Sequence, residues 1–118
     1  MADNIKVNST NQANKKVLSD RCGVNDTLGL IGKRWLMTVL YEISLGNNQF
    51  SSLKKNIPEI SEHILATRVS DLVKQDLITK KEIEDTIPLQ ITYVTTIKGN
   101  ELLSLVNELC IWNRNWTC

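Results

Sequence analysis

At 118 residues, with 42% apolar content and a net charge of +1, the chain suits one globular domain that buries ~65% of the surface its unfolded form exposes. Nothing in it reaches the roughly 18 consecutive apolar residues of a membrane span, and the opening MADNIKVNSTNQANKK lacks the apolar core of a secretory signal, so a cytoplasmic address is expected. A charge this close to neutral gives no global attraction to nucleic acid, and any such binding has to rest on local geometry.

Residues 1–18 are rich in Asn, Gln, Ser, Thr and Lys without an apolar period, and read as a flexible arm ahead of a single domain over 19–118. Val24, Leu28 and Ile31 then fall at helical spacing up to a break near Gly32. A second helix carries Trp35, Leu36, Val39, Leu40 and Ile43 on one face and stops at the Gly46–Asn48 run. FSSLKKNIP predicts a short helix with Ser51 as N-cap and Phe50, Leu53 and Ile57 inward, ended by Pro58. The next helix has Ser61 as N-cap, Glu62 favoured by the helix dipole, and Ile60 with Leu65 as a hydrophobic staple. Its buried stripe is Ile64, Leu65, Val69, Leu72 and Val73.

From there the period shifts towards two. LITKKEI and QITYVTT flank EDTIPL, which predicts a two-stranded hairpin with a protruding loop. Thr96 caps a last long helix running to about Arg114. Its apolar residues cover more than one stripe, and a terminal helix apolar on two sides calls for a second partner, most simply another copy of itself. Leu102, Leu105, Val106, Leu109, Trp112 and Trp116 are the dimer candidates.

The order is therefore mainly α with a small β-hairpin (α+β): a short helix, a turn and a well-capped helix followed by a wing, with helices at both ends. The outer face of the Ser61–Ile78 stretch carries Glu62, His63, Ala66, Thr67, Ser70 and Lys74. Small and hydrogen-bonding side chains suit a helix entering the major groove, where bulky ones obstruct close approach. Ser61, His63, Thr67, Arg68 and Ser70 are the candidates for DNA contact, with Lys74, Lys54, Lys55, Lys80 and Lys81 as phosphate partners. Arg68 borders the buried stripe and suits either a phosphate or an acidic neighbour. Acidic residues balance the basic ones between Phe50 and Asp76, so modest non-specific affinity and a shallow salt dependence are expected.

These residues carry a resemblance. Cys22, TLGLIGKRW ending at Trp35, Phe50 with Leu53, then Ile57, Ile60, Ser61, Leu65, Arg68, Leu72, Leu77 and Ile78, and finally ITYVTTIKG with Tyr93, Thr96 and Gly99, resemble the HxlR-type winged helix-turn-helix regulators, relatives of the MarR group. The resemblance implies a homodimer joined through N- and C-terminal helices, with recognition helices in two successive major grooves roughly 34 Å apart. It also implies repressor or activator activity and, for some members, oxidant or electrophile sensing at the position of Cys22. The chain departs from the pattern at Gly23, Gly29, Ala66 and Thr67, and at TTIKG, which lacks a Pro. It departs again at Asp76, where the family has Gly, which predicts a less sharp turn into the hairpin.

Cys22, Cys110 and Cys118 form an odd set without the paired spacings of a zinc site, and reduced thiols are expected. Arg21 and a helix start beside Cys22 favour a reactive thiolate; the alternative is a small buried hydrophobe. Cys110 is placed in the core, and Trp35, Trp112 and Trp116 in the core and the dimer interface. His63 stands without a nucleophile or carboxylate motif, and the chain has no phosphate-binding glycine loop, so neither catalysis nor a cofactor is expected. The competing reading is a winged-helix module for protein contact without DNA affinity. An effector between the wing base and the dimer helices is compatible with both.

Overall fold

The structure, a computed structural model, describes residues 23–83, 87 and 90–116. The N-terminal arm, Cys22, Cys118 and the wing loop apart from Ile87 lie outside the described residues. The chain divides between Lys33 and Arg34 into two compact units. Helix α1 (Val24–Ile31) belongs to the first; it begins after Gly23 in the left-handed region (φ 63°) and ends at Gly32.

The second unit is built around α2 (Leu36–Ser44), whose Leu36, Val39, Leu40 and Ile43 recur at the helical period and are all buried. Against it pack α3 (Phe50–Asn56), α4 (Glu62–Lys74), strand β2 (Gln90–Thr95) and α5 (Ile97–Trp116). Strand β1 (Ile78–Ile83) pairs antiparallel with β2 in a register from Ile78 opposite Thr95 to Ile83 opposite Gln90. The Tyr93 N–H donates to the Asn48 carbonyl at 2.8 Å, which ties the wing to the loop before α3.

Trp35 starts α2 at φ 74°, a conformation that costs a bulky residue about 1–3 kcal/mol. The corner is held from outside: the Arg34 guanidinium stacks 5.1 Å from the Trp35 ring, and Arg68 Nε donates to the Arg34 carbonyl at 2.8 Å.

Helix α3 starts two residues earlier than its Ser51 suggests. Gln49 has extended backbone and is the N-cap, and its N–H donates to Ser52 Oγ at 3.3 Å while that hydroxyl donates back to the Gln49 carbonyl at 2.8 Å. Ser51 is an exposed residue inside the helix. Helix α4 starts as expected, with Ser61 Oγ accepting from the Ile64 N–H at 3.1 Å and Ile60 and Leu65 both buried. Its fully buried stripe narrows to Leu65, Val69 and Leu72, with Ile64 and Val73 half-buried.

Asp76 does not blunt the turn. It adopts φ 58°, the Asp76 N–H donates to the Val73 carbonyl and the Leu77 N–H to the Leu72 carbonyl, and buried Leu77 follows: a complete Schellman cap with Asp where Gly is usual. The Thr96 hydroxyl then donates to the Asp76 carbonyl at 2.6 Å and accepts from the Gly99 N–H at 3.0 Å, capping α5 on the same turn. Gly99 is needed for this approach, because a Cβ there would overlap the Leu77 carbonyl oxygen.

Two expectations for α5 are corrected. Leu102 is buried in the protomer's own core, since it lies one turn after Gly99 where the helix still faces the hairpin base; it is not part of an open face. Cys110 is exposed, because it borders an open groove between α5 and α2 and not the closed core. Leu105, Leu109, Ile111, Trp112 and Trp116 are exposed too, and Val106 is half-buried.

Candidate nucleic-acid interface

Helix α3, the Ile57–Ser61 turn and α4 form a helix-turn-helix whose inner side is fixed by Leu53, Ile57, Ile60, Leu65 and Leu72, all buried. With that side committed, the helical period turns Glu62, His63, Ala66, Ser70 and Lys74 outward, each exposed, with Thr67 half-buried among them. The Thr67 hydroxyl donates to the His63 carbonyl at 2.9 Å, which leaves its oxygen free to accept. Ser61 is exposed at the start of this face, its oxygen engaged in the cap.

Between α4 and the wing runs a cleft of about 370 Å³. Phe50, Val69, Val73 and Tyr93 make it largely apolar, while Ala66, Ser70 and Lys74 line it from α4 and Lys80 from β1. Burial pushes the Tyr93 phenol above its ordinary value, so it stays neutral there. None of these lining residues is acidic.

The predicted basic residues separate into those this arrangement brings together and those it does not. Lys74 and Lys80 share the cleft. Lys81 is exposed but belongs to the opposite face of the hairpin, since adjacent strand residues alternate and Lys80, not Lys81, is the partner of Tyr93. Lys55 is exposed on α3, whereas Lys54 Nζ donates to the Pro58 carbonyl at 3.2 Å and helps close the turn. Arg68 is not an outward group: besides its bond to the Arg34 carbonyl it meets Asp71 at 3.2 Å, with both side chains more than four-fifths covered. Its position between the outer face and the buried stripe lets the fork geometry of guanidinium reach the Trp35 corner.

Sequence reading placed Phe50 inside and gave Tyr93 only a motif role. Both line the cleft, and the Asn48–Tyr93 bond two residues before Phe50 is a long-range contact without a local signal. Among the described residues no three His, Cys, Asp or Glu side chains cluster as metal ligands, and no helix is long and apolar enough to cross a membrane.

The profile of the family described as HxlR-like helix-turn-helix matches residues 30–118. The uncharacterized HTH-type transcriptional regulator YdzF of Bacillus subtilis is 33% identical over 87 residues, covering 73% of this chain and 79% of its own length. The HTH-type transcriptional regulator YodB of the same organism is 27% identical over 89 residues, 75% of this chain and 79% of its own. The structure of its reduced form superposes with a TM-score of 0.71 at 23% identity, over 79% of this chain and 90% of that one. The redox regulator HypR in its oxidized form superposes with a TM-score of 0.67 at 21% identity, over 80% and 96%. A helix-turn-helix with a wing, a family profile over most of its length and a relative at one-third identity place the chain in one group: it belongs to the HxlR-like helix-turn-helix family of transcriptional regulators.

Proposed function

We propose that the chain is a cytoplasmic regulator that binds double-stranded DNA as a homodimer, setting the outer face of α4 into the major groove of each half of a two-fold-symmetric site. The observation that carries this is the division of α4. Leu65, Val69 and Leu72 lock one side into the core, while His63, Ala66, Thr67 and Ser70 leave the other side low, polar and free of bulky groups. Lys55, Lys74 and Lys80 supply exposed cations around it. The second subunit joins through the exposed apolar residues of α5, Leu105, Leu109, Trp112 and Trp116.

Selection of DNA fragments by the purified protein tests the reading, and enrichment of a short inverted repeat is expected. Thr67→Glu with Ser70→Glu then lowers affinity for that repeat roughly 100-fold or more, since like charges brought together cost several kcal/mol. The dimer persists in this variant. Failure of the wild-type dimer to enrich any fragment at low salt would leave a module for protein contact, the reading that the net charge of +1 keeps open.

Cys22 is the proposed sensor, supported by two similar folds solved in defined redox states, YodB reduced and diamide-treated and HypR oxidized. Oxidant is expected to alter operator binding of the wild type and to leave Cys22→Ser unaffected; a variant that responds like the wild type removes Cys22 from this role.

A further inference from the structure

The end of α4 and the first turn of α5 are fastened to each other carbonyl by carbonyl. Lys98 Nζ donates to the Gln75 carbonyl at 2.7 Å, the Thr96 hydroxyl to the Asp76 carbonyl at 2.6 Å and the Thr96 N–H to the Leu77 carbonyl at 3.1 Å. Gly99 lies against the same Leu77 carbonyl, with no room for a Cβ. Three successive carbonyls at the negative end of the α4 dipole each take a donor from the start of α5, and one of the donors is an ammonium. Neither cap needs Lys98: the Schellman bonds close α4, and the Thr96 hydroxyl caps α5. Lys98 stands in TTIKG, where the chain departs from its family's pattern.

Beyond its first turns α5 has little else to direct it. Leu102 is buried, but a groove of about 570 Å³ opens between α2 and α5 from Leu103 to Cys110, and Leu105, Leu109 and Trp112 are exposed. The helix is unbroken from Ile97 to Trp116, so its fastened turn and its exposed apolar residues belong to one rod. We infer that Thr96 and Lys98 are positioning residues that fix the angle between α4 and α5, and through it the half-site spacing that the dimer accepts. The lever is long enough to matter. A tilt of about 10° acting over the ~17 Å from the two-fold axis to each α4 displaces that helix by roughly 3 Å, close to one base-pair step.

This joint rests on the homodimeric DNA-binding reading above, and its test separates the two. Affinity of the full chain is measured for the selected repeat, for versions with one base pair inserted or removed between its halves, and for a single half-site. The wild type is expected to prefer the selected spacing about 100-fold, within the range that one mismatched base pair commands. To follow an altered spacing it has to break the joint, whereas Thr96→Val with Lys98→Met has no side-chain bonds there to break. That double variant therefore loses about tenfold of the preference, the size of two such hydrogen bonds, while its affinity for the selected repeat and for the half-site is unchanged. Thr96→Ser with Lys98→Arg restores the wild-type preference. Lys98→Met alone, at an exposed position, removes about threefold and decides the matter where the double variant does not fold.

A spacing preference unchanged in folded, dimeric variants would overturn the positioning role, and so would an equal loss of affinity on every probe. A wild type indifferent to spacing overturns the joint while leaving DNA binding intact. A wild type that binds no fragment overturns the DNA-binding reading and the joint together.

Discussion

Helices α4 and α5 solve the same problem in opposite ways. Both are amphipathic, but α4 covers its apolar residues within the chain, with Leu65 and Leu72 at 0% exposure, and shows its polar ones. Helix α5 does this only through Leu102; beyond that point Leu105, Trp112 and Trp116 are 61%, 62% and 76% exposed. A helix whose apolar stripe is already matched can spend its other face on a polar partner. A helix that leaves indole and leucine in water asks for an apolar one. The groove between α2 and α5, where Met37, Tyr41, Leu103, Val106 and Cys110 meet, continues the open side of α5 and belongs to the same unmet demand.

Truncating one leucine on each helix is the strongest way to break this contrast. Leu65→Ala removes a fully covered side chain, and about 2–5 kcal/mol of stability is expected to go with it. Its urea midpoint falls by the same amount at every protein concentration. Leu109→Ala, half exposed in the protomer, leaves the protomer's own stability nearly unchanged and acts only where subunits associate. Equal, concentration-independent losses in both variants would mean that α5 is covered within its own chain.

Trp112→Glu sharpens the contrast further, because it places a charge where the homodimer reading requires apolar contact. Interface tryptophans of this kind carry about 2–4 kcal/mol, so the dimer dissociation constant rises roughly 30- to 1,000-fold in sedimentation equilibrium. An unaltered dimer would move the interface away from this end of α5.

A third change divides α4 against itself. Arg68 and Lys74 are both cations on this helix, yet Arg68 is bound to the Arg34 carbonyl and Asp71 while Lys74 is exposed at the cleft. Arg68→Gln is therefore expected to lower affinity for the selected repeat about tenfold by loosening α4 against the Trp35 corner, within the 1–3 kcal/mol that one base contact carries. The salt slope stays that of the wild type, and non-specific affinity hardly moves. A slope reduced by about 0.9 would instead make Arg68 a phosphate ligand.

How far the sequence shows these features depends on whether their cause is local. The Ser61 cap, the Leu65–Val69–Leu72 stripe, the hairpin and the Thr96 cap were legible because each is set by neighbours within one helical turn or by strand alternation. The start of α3 was misplaced because Ser is a commoner cap residue than Gln, whereas here Gln49 holds the extended cap backbone and Ser52 answers it from within the first turn. Arg68 was ambiguous because its partner, the Arg34 carbonyl, lies 34 residues away across a corner with positive φ at a tryptophan, which no pattern announces. Lys80 and Lys81 looked equivalent, and the pairing of Lys80 with Tyr93 is what puts one of them in the cleft. The α5 dimer candidates were separable in principle: Leu102 falls one turn after Gly99, and a glycine pressed on the hairpin base marks where the helix is still inside.

The smallest expected effect tests where α4 ends. Asp76 holds the left-handed position of the Schellman cap at φ 58°. That conformation costs an ordinary L-residue roughly 1–2 kcal/mol, less for Asp, whose side chain can bond locally, and its carboxylate also faces the negative end of the helix dipole. Glycine removes both penalties but gives back part of the gain through the entropy of a freer unfolded chain. Asp76→Gly is accordingly expected to stabilise the protomer by about 0.5 kcal/mol, raising Tm by roughly 3 °C. Asp76→Ala keeps the Cβ in the same strained position without the greater tolerance of Asp for the left-handed region, and is expected to fall below the wild type. Added salt separates the two causes, since it screens the dipole contribution and leaves the backbone one. Should Gly and Ala shift Tm equally, the carboxylate and not the positive φ would be what limits this turn, and the cap would tolerate any neutral residue.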